Sequence, residues 1–166
     1  SAVFLLFPSS AIALNVDEAV FAGGCFWCLE HDLESLNGVL NAESGYSGGD
    51  LINPTYKKHQ GHQESVLVTF DAETISYEEL LDNYWRNIDP FDGNGQFCDR
   101  GESYEPVIFT MNNNQANIAN LSIKKTAQEL AVSEDNIAVK ILPAKKFWLA
   151  EEYHQQYLAK NPNGYC

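Results

Sequence analysis

No apolar run in this sequence approaches the ~20 residues that a helix needs to cross a bilayer, so no spanning segment is expected. Basic residues are scarce: 10 Lys and Arg against 23 Asp and Glu leave a net charge of −13. So acidic a chain repels nucleic acid and anionic lipid, which excludes both as expected partners. Cysteine is sparse as well. Four thiols, Cys25, Cys28, Cys98 and Cys166, are too few to staple a chain that can bury an adequate core without them. Internal repeats, low-complexity tracts and linkers are all missing. What is there is an ordinary globular composition, 45% hydrophobic and 12% aromatic over 166 residues, a length that one domain accommodates.

The first residues read as processing. Ala2-Val3-Phe4-Leu5-Leu6-Phe7 is apolar and Ala11-Ile12-Ala13 is a small-x-small triplet, together like the back half of a secretory signal peptide. Neither an initiator Met nor a basic residue precedes the run. The expectation is a signal-peptide remnant over residues 1–13 and a single domain over residues 14–166. The working compartment is then periplasmic or secreted, with the cytoplasm as the alternative.

Glu18–Ala22 reads as a short buried strand ending at Gly23-Gly24, and Leu29, Leu33 and Leu36 mark one helical face over residues 26–37. Residues 39–46 are strand-like, residues 51–63 form a long loop, and Val66, Val68 and Phe70 alternate as in a strand. Ser76-Tyr77-Glu78-Glu79 is a capping box ahead of a helix that Asp89-Pro90 ends. Beyond a loop over residues 92–101 come a strand over 106–110, a helix over 114–131, a strand over 137–141 and a last helix over 150–160. Pro162 and Gly164 prevent that helix from continuing. The order contains the split βαβ pattern, so the expected class is α+β: a ferredoxin-like sandwich with an extra C-terminal helix and an irregular tail.

Gly24-Cys25-Phe26-Trp27-Cys28 sits where a strand hands over to a helix. Peptide dipoles and unpaired amides at a helix start favour a thiolate, and the two glycines leave the sulfur uncovered, so Cys25 is the candidate nucleophile. A C-x-x-C also fits a thioredoxin-like disulfide exchanger. It fits half a zinc site too, but Cys98 and Cys166 stand alone and supply no second ligand pair. His59 and His62 read as solvated or supporting loop histidines. Phe26 and Trp27 directly after the nucleophile point to an apolar pocket for a small group such as a methyl.

These residues resemble a known family. Gly24-Cys25-Phe26-Trp27 is similar to the signature of type A peptide methionine sulfoxide reductases, which act on the S epimer of the sulfoxide. The likeness continues through Gly45-Tyr46 with Gly48-Gly49, Asn53-Pro54-Thr55-Tyr56, Gly61-His62-Gln63-Glu64-Ser65-Val66, Asp99-Arg100-Gly101 with Tyr104, and Ala150 to Tyr157 through Tyr165-Cys166. It implies that Glu64, helped by the hydroxyls of Tyr56 and Tyr104, protonates or hydrogen-bonds the sulfoxide oxygen. Phe26 and Trp27 would hold the S-methyl, and Asp99 would fix the polar side of the pocket. Attack by Cys25 would release methionine and leave a sulfenic acid on Cys25. A second thiol would clear it as a disulfide that thioredoxin or an equivalent dithiol protein reduces.

Cys166 matches a family position that commonly resolves. Two departures keep Cys28 in contention: the sequence ends at Cys166 without the longer Gly-rich tail, and Cys28 replaces a common Gly. Cys98 is the remaining thiol. No cofactor or metal is expected, and a monomer is. The rival reading is a thiol–disulfide oxidoreductase or redox-sensing module that uses Cys25 and Cys28 without sulfoxide chemistry.

Overall fold

A computed structural model describes residues 13–164. The expected signal-peptide remnant lies almost wholly outside the described residues, as does Cys166. Strand β1 (Val16–Ala22) leads through Gly23-Gly24-Cys25 into helix α1 (Phe26–Glu34). Strands β2 (Val39–Ser47) and β3 (Gln63–Asp71) follow, then helix α2 (Tyr77–Arg86), a short hairpin of β4 (Gly95–Gln96) and β5 (Asp99–Arg100), and strand β6 (Val107–Thr110). Helix α3 (Asn113–Glu129), strands β7 (Lys140–Pro143) and β8 (Trp148–Leu149) and the short helix α4 (Tyr157–Lys160) complete the chain.

The architecture is mixed α/β around a six-stranded sheet in the order β7-β6-β1-β3-β2-β8. Neighbours are antiparallel except β6 and β7, which run parallel. Side chains alternate across a strand, and the two faces divide accordingly. Ala19, Phe21 and Ile108 point into the large core with Leu29 and Leu33 of α1, Leu80, Leu81 and Tyr84 of α2 and Ala119 of α3. Val20, Ala22, Val107 and Phe109 form a smaller cluster on the other face, partly covered by Phe147. Gly45 lets that covering segment approach: a Cβ there would lie 2.4 Å from the Trp148 carbonyl oxygen.

The capping box of α2 is formed as expected, with the Glu79 amide donating to Ser76 Oγ and the Glu79 carboxylate accepting from the Ser76 amide. Three expectations are corrected. Residues 150–160 do not form one helix: a 3-10 turn (Glu152–His154) and α4 are separated by Gln156, whose φ of 52° cannot propagate a helix. The loop over residues 92–101 contains the β4–β5 hairpin. The penultimate strand starts at Lys140 rather than Ile137, because the Ser133–Ile137 stretch first closes a 3-10 turn.

The C-terminal block is tied down by a buried carboxyl. Glu30 of α1 is 1% exposed and accepts from the Ser44 amide and hydroxyl and from the Gln156 amide, joining α1, β2 and the chain just before α4. Gln155 reinforces this by exchanging hydrogen bonds with both backbone groups of Ser44. Burial pushes Glu30 above the usual carboxyl range, against the pull of those donors. Glu30→Ala strands buried donors and is expected to cost about 2–4 kcal/mol in urea unfolding. Ser76→Ala, at an exposed cap, is expected to cost about 1 kcal/mol. Equal losses in the two variants would contradict this weighting.

Candidate active site

Antiparallel pairing gathers the site at one end of the sheet. Ala22, the last residue of β1, faces Ser65 near the start of β3, and Glu64 faces Tyr46 near the end of β2. The Tyr84 hydroxyl donates to the Ala22 carbonyl at 2.8 Å and closes the core beneath the turn. Gly24 has a φ of 79°, and a Cβ there would sit 2.8 Å from Gln96 Cβ, so only glycine fits against the β4–β5 hairpin. Gly24 also donates to the Tyr104 carbonyl at 3.2 Å, bringing the 3-10 turn of Glu102–Tyr104 to the same place.

Cys25 is the N-cap of α1, in extended conformation, half-buried and a free thiol. Its sulfur is not the low-pKa thiolate expected of a helix start. Burial pushes the thiol up to about 11; hydrogen bonds from the Trp27 and Cys28 amides pull the other way, and the nearby carboxyl groups of Glu64 and Asp99 raise it further. The helix terminus acts as expected, but desolvation and two acidic neighbours outweigh it.

Glu64 is 1% exposed, and its Oε2 accepts the Phe26 amide at 3.1 Å, which locks β3 to the first turn of α1. Burial lifts its carboxyl to about 7, against that hydrogen bond and with help from the charge of Asp99. Tyr104 and Tyr56 both lie within the field of Glu64, Asp99 and Cys25, and burial raises both phenols first. The five residues named for the reaction, Cys25, Glu64, Tyr56, Tyr104 and Asp99, therefore come together. At neutral pH Cys25 and the two phenols keep their protons and Glu64 is about half protonated.

Phe26 and Trp27 face different surroundings. Phe26 is fully buried, 5.8 Å from the Tyr46 ring, 6.5 Å from Tyr56 and 5.0 Å from His154. Trp27 is half-buried and stacks on Tyr157 of α4 at 3.7 Å, while its indole N–H donates to His154 Nδ1 at 2.9 Å. An accepting Nδ1 puts the imidazole proton on Nε2, and burial holds His154 neutral by lowering its pKa. That Nε2 has no partner among the described residues.

His154, Tyr157 and Glu151 carry no assigned role in the sequence reading. Glu151 accepts from the Tyr46 hydroxyl at 2.9 Å and from the Tyr56 amide at 3.1 Å, fixing two walls of the pocket. The only signal for these residues is their place in the C-terminal block of the resemblance, which says that they matter and not what they touch. His59 and His62 have supporting positions. His62 accepts the Gly49 amide and meets the Leu51 carbonyl, and His59 bonds Ser103 Oγ at 2.7 Å. Among the described residues no three His, Cys, Asp or Glu side chains gather into a metal-holding group.

Cys28 is disulfide-bonded while Cys25 remains a free thiol, so the bond does not join these two helical neighbours. Cys98 is exposed at the tip of the β4–β5 hairpin. Beside it Phe97 is 71% exposed with a φ of 52°, a left-handed conformation that costs a bulky residue about 1–2 kcal/mol. Cys166 lies outside the described residues.

The chain is similar to known proteins over most of its length. The family profile described as Peptide methionine sulfoxide reductase matches residues 17–166. Peptide methionine sulfoxide reductase MsrA 2 of Caulobacter vibrioides is 48% identical over 157 residues, covering 92% of this chain and 79% of that protein. The structure of methionine sulfoxide reductase A of Corynebacterium diphtheriae superposes with a TM-score of 0.83 at 33% identity, covering 91% of this chain and 77% of that one. Reduced Mxr1 of Saccharomyces cerevisiae gives 0.84 at 30% identity, covering 91% and 88%. The same yeast protein in complex with Trx2 aligns over 89% of this chain and 91% of that one with a TM-score of 0.62 at 20% identity, a likeness of fold.

The raised Glu64 pKa has a consequence for stability. An exposed glutamate ionises near 4.5 and Glu64 near 7, so between those values unfolding releases a proton and stability falls as pH rises. Glu64→Gln removes that penalty. The variant is expected to gain on the parent between pH 4.5 and 7.5, by at most about 3 kcal/mol in urea unfolding. A difference that does not change with pH would mean that Glu64 titrates normally.

Proposed function

This chain belongs to the peptide methionine sulfoxide reductase family, and from that premise we propose that Cys25 reduces methionine S-sulfoxide to methionine. The observation that carries the reading is the pairing of a free thiol with a carboxyl still protonated near neutrality, in a pocket walled by aromatic rings. A sulfoxide sulfur is a poor electrophile until its oxygen is protonated or strongly hydrogen-bonded. Glu64 gives the oxygen a proton, with the Tyr56 and Tyr104 hydroxyls as further donors and Asp99 ordering the polar side. The half-buried Trp27 receives the S-methyl, with the fully buried Phe26 packed behind it.

The step balances. The Cys25 sulfur attacks the sulfoxide sulfur, its own proton passes to the carboxylate that Glu64 becomes, and the S–O bond breaks as oxygen moves to Cys25. Methionine leaves and Cys25 is a sulfenic acid. Glu64 ends protonated, so the site is ready again without a proton from solvent. A raised thiol pKa is no obstacle, because the proton on Cys25 is one the reaction consumes.

Cys166 resolves the sulfenic acid, releasing water and forming a disulfide, with Cys28 as the alternative resolver. Support for a thioredoxin-type reductant comes from the yeast relative solved with Trx2. We read the fold as a ferredoxin-like split βαβ in one catalytic domain over residues 14–166, a reading supported by the strand order β6-β1-β3-β2 with α1 following β1 and α2 following β3. No helix among the described residues is long and apolar enough to cross a membrane.

Cys25→Ser is expected to abolish reduction of dabsyl-methionine S-sulfoxide; substantial turnover by that variant would end the reading. Cys166→Ser is expected to form the first methionine at the parent rate and slow thioredoxin-supported turnover by at least roughly tenfold. Undiminished recycling in that variant would move the resolving role to Cys28.

A further inference from the structure

A cavity of about 430 Å³ opens beside Cys25. It shares Cys25 and Asp99 with the aromatic pocket but none of that pocket's rings. Its walls include Gly24, Leu29, Phe97 and two further cysteines, Cys28 and Cys98. Resting on the reductase reading above, we propose that this cavity and Phe97 are the seat of the protein reductant, a dithiol protein whose nucleophilic cysteine sits in an apolar rim.

Three observations commit the cavity to that occupant. First, Cys28 lines it and is disulfide-bonded while Cys25 is a free thiol, the pairing left when Cys28 attacks the disulfide formed at Cys25 and takes over the bond, so a thiolate that reduces the Cys28 bond through this opening completes the cycle. The incoming sulfur attacks the Cys28 sulfur and forms a mixed disulfide, expelling the former bonding partner of Cys28 as a thiolate. The reductant's second thiol then breaks the mixed disulfide, leaving Cys28 reduced and the reductant oxidised. A reductant arriving through the aromatic pocket would instead compete with the substrate.

Second, Phe97 stands out of the surface in a backbone conformation that an aromatic residue rarely adopts, and its neighbours hold it there. Gln96 is buried at the base of the hairpin, where its side chain accepts the Asp89 amide at 2.6 Å and donates to the Asp89 and Asp92 carbonyls. Arg100 pairs with Asp92 from the other strand. A strained, anchored and exposed aromatic beside a disulfide is a preformed contact for an apolar surface. Third, the lining carries the carboxyl groups of Asp32 and Asp99 and no cationic side chain, so the facing rim is uncharged or basic.

The test compares two reductants on the full chain with the same sulfoxide substrate. Phe97→Ser is expected to raise the KM for thioredoxin by roughly tenfold or more while dithiothreitol-supported turnover stays within about twofold of the parent. Phe97→Leu, which keeps an apolar contact, is expected to retain most of the thioredoxin affinity. An unchanged thioredoxin KM in Phe97→Ser overturns the proposal. So does an equal loss with both reductants, which would place Phe97 in the chemistry or in the integrity of the site. Absence of sulfoxide reduction by the parent with either reductant would remove the underlying reading instead, which keeps the two failures distinct.

Discussion

The hydrogen bond from the Phe26 amide to Glu64 is the constraint on which the site depends. It spans from the first residue of α1 to the second residue of β3, so it sets where the Cys25 thiol stands relative to the Glu64 carboxyl. It also sets the proton inventory. Buried without a partner, the carboxyl would be pushed still higher; with this one donor it settles near 7 and remains able to give a proton away. The bond needs Glu64 to be inaccessible and the α1 amide to be unpaired, and a helix start supplies that unpaired amide.

That constraint explains why the familiar rule for cysteines at helix starts misleads here. The amides of Trp27 and Cys28 do favour the Cys25 thiolate. The same packing that raises Glu64 removes water from the sulfur, and Glu64 and Asp99 add acidic neighbours. A low-pKa thiolate suits attack on a disulfide, where no oxygen has to be protonated. A protonated thiol beside a protonated carboxyl suits a reaction that takes oxygen from sulfur and needs protons to do so. The electrostatics thus separate the two thiol chemistries that the C-x-x-C spacing leaves open, and they favour the sulfoxide.

Local signals in the chain carried much of the fold. Ser76 and Glu79 are three residues apart and cap α2 as their spacing demands, and Val66, Val68 and Phe70 alternate because one face of β3 is buried. Where contacts between distant segments decide, the sequence is mute. Gln156 turns left-handed because Glu30, 126 residues earlier, claims its amide, and no helical periodicity registers that. Tyr157 and His154 become walls of the pocket only because that turn lays the last segment against Trp27. Glu64 read alone is a strand-edge carboxylate; its burial is visible only once β2, β3 and α1 are assembled. The hairpin carrying Phe97 is hidden for a related reason, since a two-residue turn with a bulky left-handed residue breaks the usual Asn-Gly or Gly-x signature.

Cys25 stands between the cluster of Glu64, Tyr56 and Tyr104 and the cavity beside the β4–β5 hairpin. One side of the sulfur faces the Glu64 carboxyl and the Tyr56 and Tyr104 phenols. The other side meets Leu29, Phe97 and the disulfide-bonded Cys28, where a larger reductant can reach sulfur without entering the pocket. Gly24 makes both sides possible, because a side chain there would collide with Gln96 and lift the hairpin from the strand end. A single glycine thus holds the hairpin against the catalytic turn and keeps Phe97 beside the sulfurs that the proposed reductant must reach.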